Sequence, residues 1–251
     1  MHWYPELLSY AWMLAAIAAL CIGLAKAGLG GFGMLTVLFM AEVLPAREST
    51  GVVLPLLIVG DLFAVHAYRH HAQWRYIRHL LAPALVGIGM GYLAMNAIPD
   101  KNFKHVMGWI ILGLTLLQWS RQFFNEATIT RLAHTHVFGY SMGGLGGAST
   151  MMANAAGPVM SLYFLAVNLP KYELIGTAAW FFLIVNVTKI PFSAHLGLIN
   201  FTSMALVAML APFVVIGIGV GKAVIHLVPQ KVFEWLLLVT AAAGAIRLIC
   251  S

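Results

Sequence analysis

Charge is scarce in this chain. Its 251 residues include 14 Lys or Arg and only 8 Asp or Glu, so 9% are charged, against roughly 25% in an ordinary soluble domain. That leaves too little polar surface to cover a core built from 61% hydrophobic residues, which excludes a free-standing soluble enzyme. Cysteine is rarer still. Cys21 and Cys250 lie far apart, in or at the end of apolar stretches, so neither a disulfide framework nor a metal-ligand spacing exists. A lysine-rich tail and an alternation of basic with aromatic residues are both missing, so the net charge of +6 does not point to nucleic acid. Met1 to Ser9 holds no Lys or Arg. The basic region of a secretory leader is therefore lacking, although Ala25-Lys26-Ala27 mimics a cleavage site, and bulky Leu20 before Cys21 speaks against a lipoprotein. The first apolar segment is expected to be retained.

What the chain has instead is long apolar runs. Leu7 to Leu24, Leu80 to Ile98 and Phe201 to Gly221 contain no Asp, Glu, Lys or Arg. At 1.5 Å per residue, each is about long enough to cross a hydrocarbon core of roughly 30 Å. Composition and runs together predict an all-α polytopic membrane protein.

The chain also repeats itself. Gly28-Leu-Gly-Gly31 returns as Gly144-Leu-Gly-Gly147, and Leu44-Pro45 with Glu48 and Gly51 returns as Leu169-Pro170 with Glu173 and Gly176. Asp61 falls opposite Asn186, Gly87-Ile-Gly-x-Gly91 opposite Gly217-Ile-Gly-x-Gly221, and Ile98-Pro99 opposite Val228-Pro229. Ordered matches of this kind mark internal duplication. The expected organisation is a first membrane repeat over 1–122, a connecting loop over 123–134 and a second membrane repeat over 135–251. Each repeat holds about five apolar segments, some short enough to be broken or re-entrant, which gives 8–10 crossings. An odd number of crossings per repeat inverts the second relative to the first. Arg69, Arg75, Arg78, Arg121, Arg131, Lys171 and Lys231 gather on one side, the expected cytoplasmic one, which places both termini outside.

Gly28-x-Gly30-x-x-Gly33 has the spacing of a dinucleotide fingerprint, but that motif needs a preceding strand and an acid about 20 residues on. Here an apolar helix precedes, and no Asp or Glu lies between Ser49 and Gly60. Two readings of the glycines remain open and compatible. They let helices pack closely, or they break a helix in mid-membrane and turn a new N-terminus toward an anion.

Ionisable residues inside a membrane are costly and mark function by default. Lys26 either snorkels or gives charge to an anion, and Lys189 has the same two readings. Asp61 sits mid-segment, available to pair with Lys26 or His66 or to titrate during transport. Asn154, Asn186 and Ser149 offer neutral hydrogen bonds. His66 and His70 share a helical face, yet no carboxylate or cysteine completes a metal set and Arg69, Arg75 and Arg78 surround them. Asp61 has no second intramembrane Asp, so no catalytic residue is assigned and no enzyme is expected.

The paired glycine motifs, Asn154-Ala-Ala-Gly157-Pro158 leading into Leu-Tyr-Phe-Leu, and Leu-Pro-x-x-Glu before the next segment resemble the sulfite exporter TauE/SafE family, also described as the toluene sulfonate uptake permease family. The resemblance runs from about Gly23 to Ile249. One departure stands out: Met34-Leu-Thr-Val-Leu follows the first glycines where that family usually has a proline. The resemblance implies a bacterial inner-membrane, multi-pass secondary transporter of sulfite, sulfonates or related sulfur-containing anions, coupled to an ion. The residues alone argue only for a small anion. The expected substrate site is Lys26, Gly30, Gly31, Gly146, Gly147, Ser149, Asn154, Asn186 and Lys189, with Asp61 and His66 coupling a proton. A passive anion channel and a non-transporting scaffold subunit are the alternatives. The expected partners are the anion and the bilayer, with a homodimer allowed, no nucleic acid, no metal and no cofactor.

Overall fold

The computed structural model describes residues 9–29, 31–120, 135–224 and 230–250, and among them every regular element is helical. In chain order these are α1 (Ser9–Lys26), α2 (Phe32–Val43), α3 (Ala46–Tyr68), α4 (Trp74–Ala97) and α5 (Asp100–Ser120). Then come α6 (His136–Ala153), α7 (Gly157–Ala166), α8 (Lys171–His195), α9 (Phe201–Val224) and α10 (Gln230–Cys250). Each apolar segment read from the sequence is one of these helices. The expected connecting loop, Arg121 and Arg131 lie outside the described residues.

Local chemistry sets the boundaries. Pro45 and Pro170 hold extended backbone immediately before α3 and α8, and Glu48 and Glu173 place negative charge in the first turns, where the helix dipole favours it. Thr135 accepts from the Phe138 amide to cap α6. Ahead of α9, Asn200 and Ser203 exchange side chain-to-amide bonds, the Asn200 Oδ1 accepting from Ser203 and the Ser203 Oγ from Asn200, each at 2.9 Å. That reciprocal pair is a capping box.

Among the described residues, four helices are long and apolar enough to cross a membrane, namely α3 with the turn after it, α4, α8 and α9. The segments in α1, α2, α7 and the end of α10 are shorter apolar helices. The chain is a multi-pass membrane protein. Packing follows a regular scheme. α3 lies against α8 and α5 against α10, while α1 packs on α9 and α4 on α6. Each half thus lends its fourth helix to the other. One apolar core joins α1, α2 and α3 to α9, and a larger one gathers α4 to α8 with α10 and the other face of α2.

The glycines explain how closely these helices approach, and they correct one expectation. Gly144-Leu-Gly-Gly147 does not break a helix, because α6 continues through it to Ala153. A Cβ on Gly147 would stand 2.0 Å from the Ala84 carbonyl oxygen, and one on Gly87 would stand 2.1 Å from that of Gly144. At the other crossing, a Cβ on Gly23 would lie 2.2 Å from the Val214 oxygen and one on Gly217 2.3 Å from the Leu20 oxygen. Gly147 therefore plays the packing part of Gly23, not of Gly31, and the two glycine strings are about two helical turns out of register. The strings coincide in letters because close backbone contact demands glycine as strongly as a chain break does.

The first break does fall at its glycine string, at Gly28, whereas the second lies beyond Gly147, at Asn154. α1 closes at Gly28, whose φ of 117° suits glycine, with Leu29 N–H bonded to Leu24 O and Gly28 N–H to Ala25 O, at 3.1 and 3.2 Å. This is a Schellman end. α6 ends at Asn154, left-handed at φ 52°, with its amide turned back to Ser149 and Thr150. Asparagine is the residue that tolerates this conformation best after glycine.

Candidate functional site

The two breaks lead to one polar centre in the interior. Lys26, the last residue of α1, extends along α3 where Gly60 lacks a side chain; a Cβ there would meet Lys26 Cγ at 2.9 Å. Its ammonium lies 2.5 Å from Asp61 Oδ1 and 4.6 Å from the centroid of the Phe182 ring. Asp61 is fully buried. Its other oxygen accepts 2.7 Å from Asn186 Nδ2 on α8.

One turn further along α8, Lys189 is 1% exposed. It donates to Asn154 Oδ1 at 2.5 Å, Thr150 Oγ1 at 3.1 Å and Asn186 Oδ1 at 3.4 Å. Asn154 closes the circuit by donating to the Thr50 carbonyl of α3 at 3.0 Å. A continuous chain of polar groups thus runs from α1 through α3 and α8 to the end of α6.

The electrostatic sum is simple. With both lysines protonated and Asp61 ionised, two ammonium groups and one carboxylate leave a single positive charge in excess, enclosed among apolar helices. A lone charged side chain at mid-membrane costs about 3 kcal/mol on insertion scales. The Lys26–Asp61 pairing offsets part of that cost, and the amides and hydroxyl satisfy the remaining donors and acceptors. Chemically, the arrangement attracts an anion and repels a cation.

Of the residues expected at the site, the structure unites Lys26, Asp61, Asn154, Asn186 and Lys189. Gly31 turns instead toward Leu237 of α10, whose Cδ1 a Cβ would meet at 2.5 Å. Gly30 lies outside the described residues. Gly146 packs on Met160, whose Cε a Cβ would meet at 2.6 Å, and Gly147 serves the α4 contact. Neither lies at a break, so the backbone donors expected from them are occupied within α6. Ser149 donates to the Gly146 carbonyl at 3.2 Å; Thr150, the next residue, is the hydroxyl that faces Lys189. His66 is exposed on α3. Five residues beyond Asp61, it points about 140° away around the helix. Arg47 is engaged elsewhere, with Asp100 at 2.5 Å and the carbonyls of Met95 and Ile98 at the end of α4.

Phe182, Gly60 and the Thr50 carbonyl join the centre without having been expected from the sequence. Phe182, Asn186 and Lys189 recur at helical spacing on one face of α8, a legible signal. Nothing in the letters marks Thr50. Among the described residues, no three His, Cys, Asp or Glu side chains come together as a metal site.

A family model described as Sulfite exporter TauE/SafE matches residues 15–248. The chain belongs to the sulfite exporter TauE/SafE family. No curated protein and no solved structure matches it. Membership makes this chain a membrane transporter for sulfite or related sulfur-containing anions, in a family of transporters rather than enzymes. The span matched to TauE/SafE includes every residue of the polar centre, from Lys26 to Lys189.

Proposed function

We propose that this TauE/SafE protein is a proton-coupled secondary transporter that moves sulfite or an organosulfonate across a bacterial inner membrane, with both termini periplasmic. The observation that carries the reading is the Lys26–Asp61–Asn186–Lys189 chain of polar groups, which holds one excess positive charge when all three ionisable members are charged. An anion is favoured there, and the carboxylate beside it is the group able to take up a proton. When Asp61 is protonated, Lys26 loses its counter-ion and the attraction for the anion rises, so proton and anion occupancy are thermodynamically linked.

The exchange-symmetric packing supports two inverted halves of five helices that rock about the α3–α8 contact. Asp61 and Asn186 bridge that contact at equivalent positions, so a change in their pairing is felt by both halves. Rocking of one repeat against the other around a midplane site is how inverted-repeat transporters alternate access.

The test is flux of sulfite into proteoliposomes carrying the purified chain under an imposed proton gradient. Accumulation above equilibrium in the wild type, reduced to downhill leakage in Asp61→Asn, is expected. Downhill flux that never builds a gradient in the wild type would identify a passive channel, and absence of any flux would return the chain to a scaffold role.

A further inference from the structure

The two lysines of the polar centre, Lys189 buried and Lys26 half-buried, are not equivalent, and their difference assigns the substrate's position and charge. This inference rests on the reading of the centre as an anion site. Lys26 has a counter-ion, since its ammonium lies 2.5 Å from Asp61 Oδ1. Lys189 has none among the described residues. Its three N–H bonds go to neutral oxygens of Thr150, Asn154 and Asn186. Asn186 stands between the two systems, giving its amide to Asp61 and its oxygen to Lys189. The excess positive charge therefore belongs to the Lys189 end of the chain.

An incoming anion has to replace one of the three acceptors, because Lys189 has no fourth donor. Thr150 and Asn186 are buried within α6 and α8, whereas Asn154 is only half-buried and sits at the left-handed end of α6. The Asn154 oxygen is the acceptor free to leave. Charge then fixes valence. With Asp61 ionised, a monoanion brings the centre to neutrality, while a dianion leaves a net negative charge in a low-dielectric interior, which is costly.

We propose that Lys189 is the lysine that contacts the substrate, at the place held by Asn154 Oδ1, and that the site selects a monoanion of the sulfonate or hydrogensulfite class. Lys26 serves Asp61 rather than the anion. A dianion enters only when Asp61 has lost its charge.

Binding of methanesulfonate, a monoanion, and sulfate, a dianion of similar size, to the purified full-length chain in detergent tests this by calorimetric titration. The wild type is expected to bind methanesulfonate at least tenfold more tightly than sulfate. Lys189→Met loses one charge-assisted contact and weakens methanesulfonate by about 10- to 150-fold. Lys26→Met/Asp61→Asn removes charge in a balanced pair and weakens it at least tenfold less than Lys189→Met does. Asp61→Asn alone leaves the centre doubly positive, so the preference shifts toward sulfate. Equal losses in the double variant and in Lys189→Met, with both variants keeping the wild-type unfolding profile, would overturn the assignment of the lysines. A wild type that binds both anions equally overturns the charge rule while leaving an anion site intact. A wild type that binds neither overturns the underlying reading as well.

Discussion

Replacing Gly147 by alanine adds one methyl group to α6, and the structure says where it goes. The new Cβ would stand 2.0 Å from the Ala84 carbonyl oxygen, a backbone atom that no rotamer change can move aside. Real Cβ atoms essentially never approach within 3.0 Å, so α4 and α6 must part by about 1 Å. Such a displacement disturbs the whole packed crossing, including Gly87 and Gly143 on the two facing helices. Overpacking of this kind costs about 1–3 kcal/mol, and the backbone position of the clash puts the expected value near the upper end. For a chain of this size that corresponds to a fall of roughly 5–10 °C in Tm. Gly23→Ala should behave alike, since its Cβ would meet the Val214 oxygen at 2.2 Å across the α1–α9 crossing. Gly33→Ala and Gly113→Ala are the internal controls. Nothing beyond the chain neighbours lies within 4 Å of either new Cβ, and alanine's higher helix propensity makes them neutral or slightly stabilising, by up to about 1 kcal/mol. The assay is thermal unfolding of the purified variants in detergent, followed by circular dichroism. Reasoning from close packing fails if Gly147→Ala and Gly23→Ala unfold within a degree of Gly33→Ala.

Three further outcomes follow from the polar centre. Lys26→Met strands the buried Asp61 carboxylate and should destabilise by about 3–5 kcal/mol, whereas Lys26→Met/Asp61→Asn should recover most of that loss; additive destabilisation in the same unfolding assay would refute the pairing. Thr150→Val removes an acceptor from Lys189 and should alter methanesulfonate affinity about tenfold or more in titration calorimetry, by the worth of a hydrogen bond to a charged group. Ser149→Ala, whose hydroxyl donates to the Gly146 carbonyl rather than to Lys189, should stay within twofold, and reversal of that order would refute the placement. Asn154→Gly keeps the left-handed end of α6, but Asn154→Val incurs the cost of a β-branched residue there. The valine variant should therefore unfold several degrees lower than the glycine variant, and equal Tm values would dispose of the conformational argument.

Much of the centre is legible in the amino-acid sequence, for a definite reason. A charged or amide side chain inside an apolar run is conspicuous because hydrocarbon tolerates so few of them. Lys26, Asp61, Asn154, Asn186 and Lys189 all stand out on that ground and all meet in space. What the sequence hides is hidden for equally physical reasons. The strings Gly28-Leu-Gly-Gly31 and Gly144-Leu-Gly-Gly147 look alike, but one ends a helix and the other lines a helix crossing. Glycine serves both uses, and the letters carry no sign of which neighbour is present. Ser149 and Thr150 are adjacent hydroxyls, and one residue, about 100° around a helix, decides that Thr150 and not Ser149 faces Lys189. His66 is close to Asp61 in sequence, and the same rotation turns it outward.

The sequence by itself determined the solvent this chain folds in, the approximate placement of its apolar segments, and the identity of the charged and amide groups at its polar centre. Those are local properties, set by the transfer of each segment from water to lipid and by capping within a few residues. Only the tertiary structure decided which lysine holds a counter-ion and which does not. That distinction depends on Asp61 meeting Asn186 across 125 residues of chain, and on Lys26 reaching Asp61 over a glycine that leaves it room. Contacts of that range arise from helices packing into one another, and no short window of sequence contains both partners.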